Sequence, residues 1–351
     1  MPAVKKLLNK HRKTVSTCIV VVLLAFGWWY FFREPEVDRG KKKSTLGKVV
    51  EPNAGSHGTG KVNQIDRSPP QKPSRAELDA MISRSSDKAG ATVAAFLLTL
   101  DDHYLSQLES FPESELACMY LGMFATGFPN RVKWAQQLQK LQPANALGWL
   151  IEGKARVFLK DFDQASAAIQ AGITKGKLRM PENEALVCVR SSLREMGRSQ
   201  DEVRSHSLAL GVGSNMCIEL MGVSTRFWKA QVEKDPSEGG KIKAATMQLQ
   251  LVDLMKSATD PSLSLSLAML TSEENVLKQL PPDVEYGEGG ATLASRLAQI
   301  KADRQGLGTQ LIDSAKALSS ASKEVQDGYY DRLESLGESA ARRWLLSVSK
   351  Q

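Results

Sequence analysis

The chain of 351 residues carries 46 Lys/Arg against 39 Asp/Glu, is 42% hydrophobic and only 6% aromatic. Its length suits one large or two medium domains, and its wealth of Ala, Leu, Ser and Gln favours helix over sheet. The formal net charge of +7 comes from one end: residues 1–74 hold 14 Lys/Arg and 5 Asp/Glu, leaving 32 and 34 for the rest. The remainder therefore lacks the bulk positive field of a nucleic-acid binder, and no nucleic-acid partner is expected.

A basic tail over 1–14 leads into Val15 to Phe32, VSTCIVVVLLAFGWWYFF, a run without charge. Eighteen residues at 1.5 Å each give about 27 Å of helix, close to the hydrocarbon thickness of a bilayer. Trp28, Trp29 and Tyr30, followed by Phe31 and Phe32, form an aromatic band suited to the headgroup interface. Bulky rings stand where a cleavage site would need small residues, so the segment reads as an uncleaved signal-anchor whose partner is the lipid bilayer. Lys10, Arg12 and Lys13 lie close to its start, whereas the basic cluster Lys41 to Lys43 lies further from its end. That asymmetry places the N-terminus in the cytoplasm and the bulk of the chain outside it.

Residues 33–74 are rich in Gly, Pro, Lys and Ser and read as a disordered linker. As a flexible coil it would span on the order of 35 Å root-mean-square. Within it, Gly55 to Lys61 has the G-x-x-x-x-G-K spacing of a phosphate-cradling loop. Such a loop needs a strand before it, a helix after it, and Ser or Thr after the lysine. Here Glu51-Pro52-Asn53 precedes, Val62 holds the Ser/Thr place, and VNQIDRSPP follows. Nucleotide binding at Gly55–Lys61 is therefore rejected, and His57 reads as a solvated side chain.

Order is expected from Ser74-Arg-Ala-Glu77, which has the spacing of a capping box. Stop and start signals then recur: Pro112, Gly127 with Pro129, Pro143, Asp161 to Gln164, Pro181 to Gly197, and a second capping box at Ser199 to Glu202 before Gly211. No stretch alternates with period two and no Asn-Gly turn is present. Short antiparallel helices over 75–280, in an all-α fold, follow.

Prolines 112, 143 and 181 bracket segments of 31 and 38 residues, so repeats are expected. The clearest unit runs from Ala146 to Lys177, ALGWLIEGKARVFLKDFDQASAAIQAGITKGK. Trp149 and Gly153 fall on its first helix, Phe162 and Ala165 on its second. In that spacing it resembles a tetratricopeptide repeat. Small Gly153 and Ala165 let the two helices approach, while Trp149 and Phe162 fill the space around them. Arg156, Gly172 and Lys177 depart from the family's usual aromatic, Ala and Pro. The neighbours, about 112–142 and 180–211, match in helix length but poorly in signature. The resemblance implies a TPR-like solenoid, a superhelical scaffold that holds peptides or protein partners.

Two more helices are expected near 214–234 and 240–257, with Met216, Met247 and Met255 as core filler. Pro281-Pro282 and YGEGG mark a loop and a boundary. The C-terminal helical subdomain, 281–351, repeats Leu293, Leu297 and Ile300 eighteen residues later as Leu311, Ala315 and Leu318, and again as Tyr329, Leu333 and Leu336. Eighteen residues are five turns, so one stripe persists. Gly306, Gly308, Gly328 and Gly337 favour three packed helices over one long coiled coil, and Trp344, Leu345 and Val348 suggest that the last helix docks.

No reactive constellation emerges. Cys18, Cys118, Cys188 and Cys217 form no C-x-x-C pair, and the last three read as small core residues. Asp101 and Asp102 beside His103 read as a helix cap and a solvated face. Glu273, Glu274, Glu285 and Glu288 offer carboxylates, but nothing places two of them across a cleft. No catalytic, cofactor or metal site is assigned. The expectation is a non-enzymatic, membrane-anchored scaffold or adaptor that binds proteins on the extracytoplasmic side. The alternatives are an envelope enzyme acting on cell-wall polymer, or an oligomeric component of a membrane complex that self-associates through 291–351.

Overall fold

A computed structural model describes residues 72–211, 227–257, 263–280 and 292–349. The chain divides into two units, Met1–Ser68 and Pro69–Gln351, and every described residue belongs to the second. The expected span at 15–32 with Trp28, Trp29 and Tyr30, the linker to residue 71, and the rejected loop at Gly55–Lys61 lie outside the described residues. Among the described residues, no helix is long and apolar enough to cross a membrane.

Regular structure among the described residues is helical, with no strand. In chain order the helices are α1 (Arg75–Arg84), α2 (Lys88–Thr99), α3 (Asp102–Gln107), α4 (Glu115–Phe124), α5 (Phe128–Leu141), α6 (Leu147–Phe158), α7 (Phe162–Lys175), α8 (Glu182–Glu195), α9 (Gln200–Gly211), α10 (Glu238–Lys256), α11 (Leu263–Leu277), α12 (Leu293–Ser320), α13 (Lys323–Leu336) and α14 (Glu338–Val348). A further helical segment covers 227–234. The all-α expectation holds for these residues.

Many starts are set by side chains that satisfy the first unpaired amides of the helix, whereas α5, α6, α8 and α14 have no such cap. Ser74 and Glu77 form the expected reciprocal box on α1. Ser199 and Glu202 repeat it on α9. Asp87, Asp101, Ser114 and Asp161 cap α2, α3, α4 and α7 through their side-chain oxygens. Gly176, Gly197 and Gly337 take positive φ at the turns that follow α7, α8 and α13, where a side chain would be strained.

Helices α4 to α7 pack successively, each against the next, with small residues at their closest approaches. A Cβ added to Gly122 on α4 would lie 3.0 Å from Ile151 Cγ2, on α6. One on Gly148 would lie 3.0 Å from both the Ala135 carbonyl oxygen and the Gln139 amide nitrogen of α5. One on Gly153 would lie 2.6 Å from Ile169 Cγ1, on α7. The row does not simply continue: α8 folds back onto α2, where Cys188 Sγ closes on Gly90. The largest apolar core accordingly mixes distant segments, joining Leu78 and Phe96 to Ile151, Val189, Leu251 and Met255.

The C-terminal stripe is carried by three helices, with breaks at the Ser322 cap and at Gly337. Leu293 and Ile300 are buried, but Leu311, Ile312 and Leu336 are exposed. The stripe is therefore not one continuous core face. Of the glycines expected to interrupt a long rod, Gly337 does so, whereas α12 passes through Gly306 and Gly308 unbroken. A Cβ at either would meet nothing within 4 Å. Each Gly→Ala change should therefore stabilise the chain by about 0.5–1 kcal/mol through helix propensity. Thermal melts of Gly306→Ala and Gly308→Ala test this, and a lowered melting temperature would contradict it. The last helix docks as expected: Ala341 and Leu345 are buried, and Trp344 lies under the Arg332 guanidinium, 3.9 Å from its ring centre.

Candidate functional site

The hairpin Ala146 to Lys177 forms as α6 and α7, and the predicted signature separates into two contacts. Gly153 faces Ala165, whose carbonyl oxygen would be 3.5 Å from a Cβ there. Phe162 packs nearby with Phe158, Val157 and Ile169. Trp149 lies at the other end of the hairpin, where its Cβ would be 3.2 Å from one added to Gly172, and Lys175 sits 5.3 Å from its ring centre. Arg156 bridges Glu152 at 2.8 Å and Asp161 at 3.2 Å. It thereby ties the body of α6 to the residue that caps α7, a polar role in place of an aromatic one.

Beside that hairpin, the loops α5–α6 and α7–α8 are joined edge to edge. The Ala146 amide donates to the Lys177 carbonyl at 2.9 Å. Asn145, 9% exposed, accepts from the amides of Leu147 and Arg179 at 3.2 and 3.0 Å. Its own amide group donates to Gln142 Oε1 and to the Arg179 carbonyl. One side chain thus fixes both loops, and its donors and acceptor are all used.

These loops line a cleft of about 480 Å³ with Glu115 from the start of α4 and Ser257 from the end of α10. Pro143, Ala144, Gly176 and Leu178 supply apolar surface, while Glu115, Gln142, Lys177 and Arg179 supply polar groups. Arg179 pairs with Glu184 and, at 3.5 Å, with Glu115. Those two carboxylates, Glu184 foremost, hold the guanidinium above its usual range. The cleft offers a fixed backbone frame and charges of both signs, which suits an extended peptide better than a small anion. Neither Pro143 nor Asn145 marked it in the sequence, because its walls come from four separated segments.

Asp101, His103, Glu273 and Glu274 have structural partners. Asp101 caps α3 through the His103 amide at 2.9 Å, and the His103 ring meets Gln107 at 2.8 Å. Glu273 is wholly buried; Arg296 donates to both its oxygens, at 2.6 and 2.9 Å, and Lys256 donates at 2.9 Å. Burial pushes its carboxyl up, but the hydrogen bonds and charges of Arg296 and Lys256 outweigh that and hold it below the usual range. Glu274 is held low by Lys278 and Arg304. Neither is the proton-loaded acid a glycosidase needs. Glu285 and Glu288 lie outside the described residues, as do Cys18, Met216 and Cys217. No metal-binding cluster is present among the described residues.

Cys118 is fully buried and Cys188 half-buried. Burial pushes both thiols up to about 11. At pH 7.5 iodoacetamide should leave both unmodified in the folded chain and label both in urea, read by peptide mass spectrometry. Rapid labelling of either in the folded state would contradict their burial.

Comparison with known proteins finds no matching family model, no matching curated protein and no matching solved structure.

Proposed function

We propose that this chain is a membrane-anchored adaptor whose TPR-like helical domain holds a protein partner on the extracytoplasmic side. An uncleaved helix at 15–32 anchors it, and 33–74 tethers the domain, raising its effective concentration near the membrane without a new contact. The observation that carries the reading is the cleft framed by Asn145. Its two loops are cross-linked before any partner arrives, so an extended peptide laid there loses little to ordering of the receptor.

The test is a photoreactive residue at Lys177 of the full-length chain in its native membranes. Irradiation should yield a discrete adduct with another protein, lost when Asn145 is changed to Ala. Absence of any adduct at Lys177 would end the adaptor reading. A second reading, self-association through 291–351, is favoured by exposed Leu311, Ile312 and Leu336. The same probe at Asp313 should then give an adduct of twice the chain mass.

A further inference from the structure

Three connections come together at one end of the row α2 to α7. The C-termini of α2 and α4 lie side by side, with the Phe96 ring 5.8 Å from that of Phe124. The α4–α5 and α6–α7 turns meet where Phe128 stacks on Phe158 at 4.8 Å. The Asn145 cleft is built on the α5–α6 and α7–α8 loops, at the opposite ends of these helices and about 20 Å away along them.

This end carries apolar side chains into water. Leu100, Phe124 and Leu159, one at each connection, are 69%, 36% and 41% exposed. It also holds the two non-glycine residues with positive φ among the described residues, Leu100 at 57° and Lys160 at 59°. Both terminate a helix, Leu100 donating its amide to the Phe96 carbonyl and Lys160 to that of Val157. A side chain in that conformation crowds its own backbone, which is why glycine or asparagine is usual there. Here the strain presents a leucine to solvent and sets an exposed lysine beside an exposed leucine. The core gains nothing from either. Strained positions that the interior does not need point to a role at the surface.

Charge indicates what that role is. The Arg131 guanidinium lies over the Phe128 ring at 4.9 Å, and Lys160 follows Leu159. The nearby Asp161 and Asp163 are paired with Arg156 and Lys234, and Asp101 caps α3. Leucine and phenylalanine at a tip, with long-stemmed cations around them, suit the boundary of a bilayer. The apolar groups enter the acyl region and the cations reach the phosphates. We infer that this end of the domain docks on a lipid surface. The inference rests on the anchored reading above, because so few apolar groups hold lipid only weakly by themselves. As a tether, 33–74 keeps the bilayer within reach, on the order of 35 Å root-mean-square, and so raises its effective concentration. Docked this way, the domain turns the Asn145 cleft away from the membrane and toward a partner.

The test uses the full-length chain reconstituted in vesicles of phosphatidylcholine and phosphatidylglycerol, with plain or brominated acyl chains. A nitrobenzoxadiazole group is attached at Leu159→Cys or, at the cleft end, at Ala144→Cys, with Cys18 and Cys217 changed to Ser. Interfacial groups sink about 5–10 Å to the acyl boundary, so bromine there should quench the probe at 159 about twofold and leave the one at 144 unchanged. Leu100→Asn should reduce the quenching at 159 without lowering the melting temperature, since asparagine takes a positive φ more readily than leucine. A leucine that merely supported the fold would lower the melting temperature and leave the quenching as it was. No quenching at 159, or equal quenching at both positions, overturns the docking. Shielding of the 159 probe from aqueous iodide without quenching by bromine also overturns it, and assigns the tip to a second copy of the chain. Retention in the vesicles after alkaline carbonate reports the span at 15–32 independently of either probe, so the anchor and the docking can fail separately.

Discussion

Arg296→Leu should cost the folded chain about 2–3 kcal/mol at pH 7, less than an uncompensated buried charge would cost because Lys256 still pairs with Glu273. Glu273 is 0% exposed, whereas Lys256 and Arg296 have side chains about a third and a quarter exposed. Deleting the guanidinium removes two hydrogen bonds from a carboxylate that water does not reach. The effect has a pH signature. In the native chain the Glu273 pKa lies below its usual value, so its contribution is present above the unfolded pKa and fades as pH falls through the folded one. In the variant, burial meets less opposition and the folded pKa rises. The deficit should therefore shrink between pH 7 and pH 4 as the carboxyl takes up a proton. Urea titrations at both pH values measure this. A deficit under about 1 kcal/mol at pH 7, or one that grows in acid, would show that Arg296 does not hold that charge. Replacing Glu273 by Leu as well should recover most of the loss, because the buried charge is then gone.

Gly148→Val should cost about 3 kcal/mol, the upper part of the overpacking range. The atoms that a Cβ would meet at 3.0 Å, the Ala135 oxygen and the Gln139 nitrogen, belong to the backbone of α5. A backbone cannot rotate away as a side chain can, so α5 and α6 must part. Asn145 stands three residues before Gly148, so the parting also pulls on the loop junction. The adduct at Lys177 should weaken together with stability. If Gly148→Val melts within about 1 °C of the parent, the two helices are not packed this closely.

Local punctuation was legible in the chain, and long-range closure was not. Ser74 with Glu77 and Ser199 with Glu202 declare helix starts because both partners of each box lie within four residues. Asp161 and Gly197 do the same for the start of α7 and the end of α8, whereas Gly176, which ends α7, is not among the expected stops. The return of α8 to α2 has no such mark, since Cys188 and Gly90 are nearly a hundred residues apart and each resembles ordinary core. The cleft was missed for the same reason: Glu115, Asn145, Arg179 and Ser257 meet only after four segments have packed. Glu273 was noticed for the wrong property. Its sequence context offered a carboxylate, but only the fold supplies Arg296 and Lys256, which turn it into a structural anion. The hairpin at 146–177 shows both cases. The Gly153–Ala165 contact follows from small residues at helix spacing, whereas the placement of Trp149 at the far end depends on Gly172.

The attachment of α13 has a consequence of its own. That helix has no buried residue. It meets α9 through Arg204 with Asp327 and, at 3.2 Å, Asp331, and through Lys323 with Asp201 at 3.4 Å; Arg194 of α8 reaches Glu334 at 3.1 Å. Interactions between exposed charges reach about 10 Å in 0.1 M salt and about 3 Å in 1 M. Salt therefore weakens the pairs that α13 makes through its exposed partners, such as Lys323 with Asp201, more than those of the mostly buried Arg204, and it does not touch the packing of α13 on α14, where Trp344 lies against Gly328. One helix thus carries two kinds of attachment, ionic toward α8 and α9 and packed toward α14, and only the first is read by the ions around it.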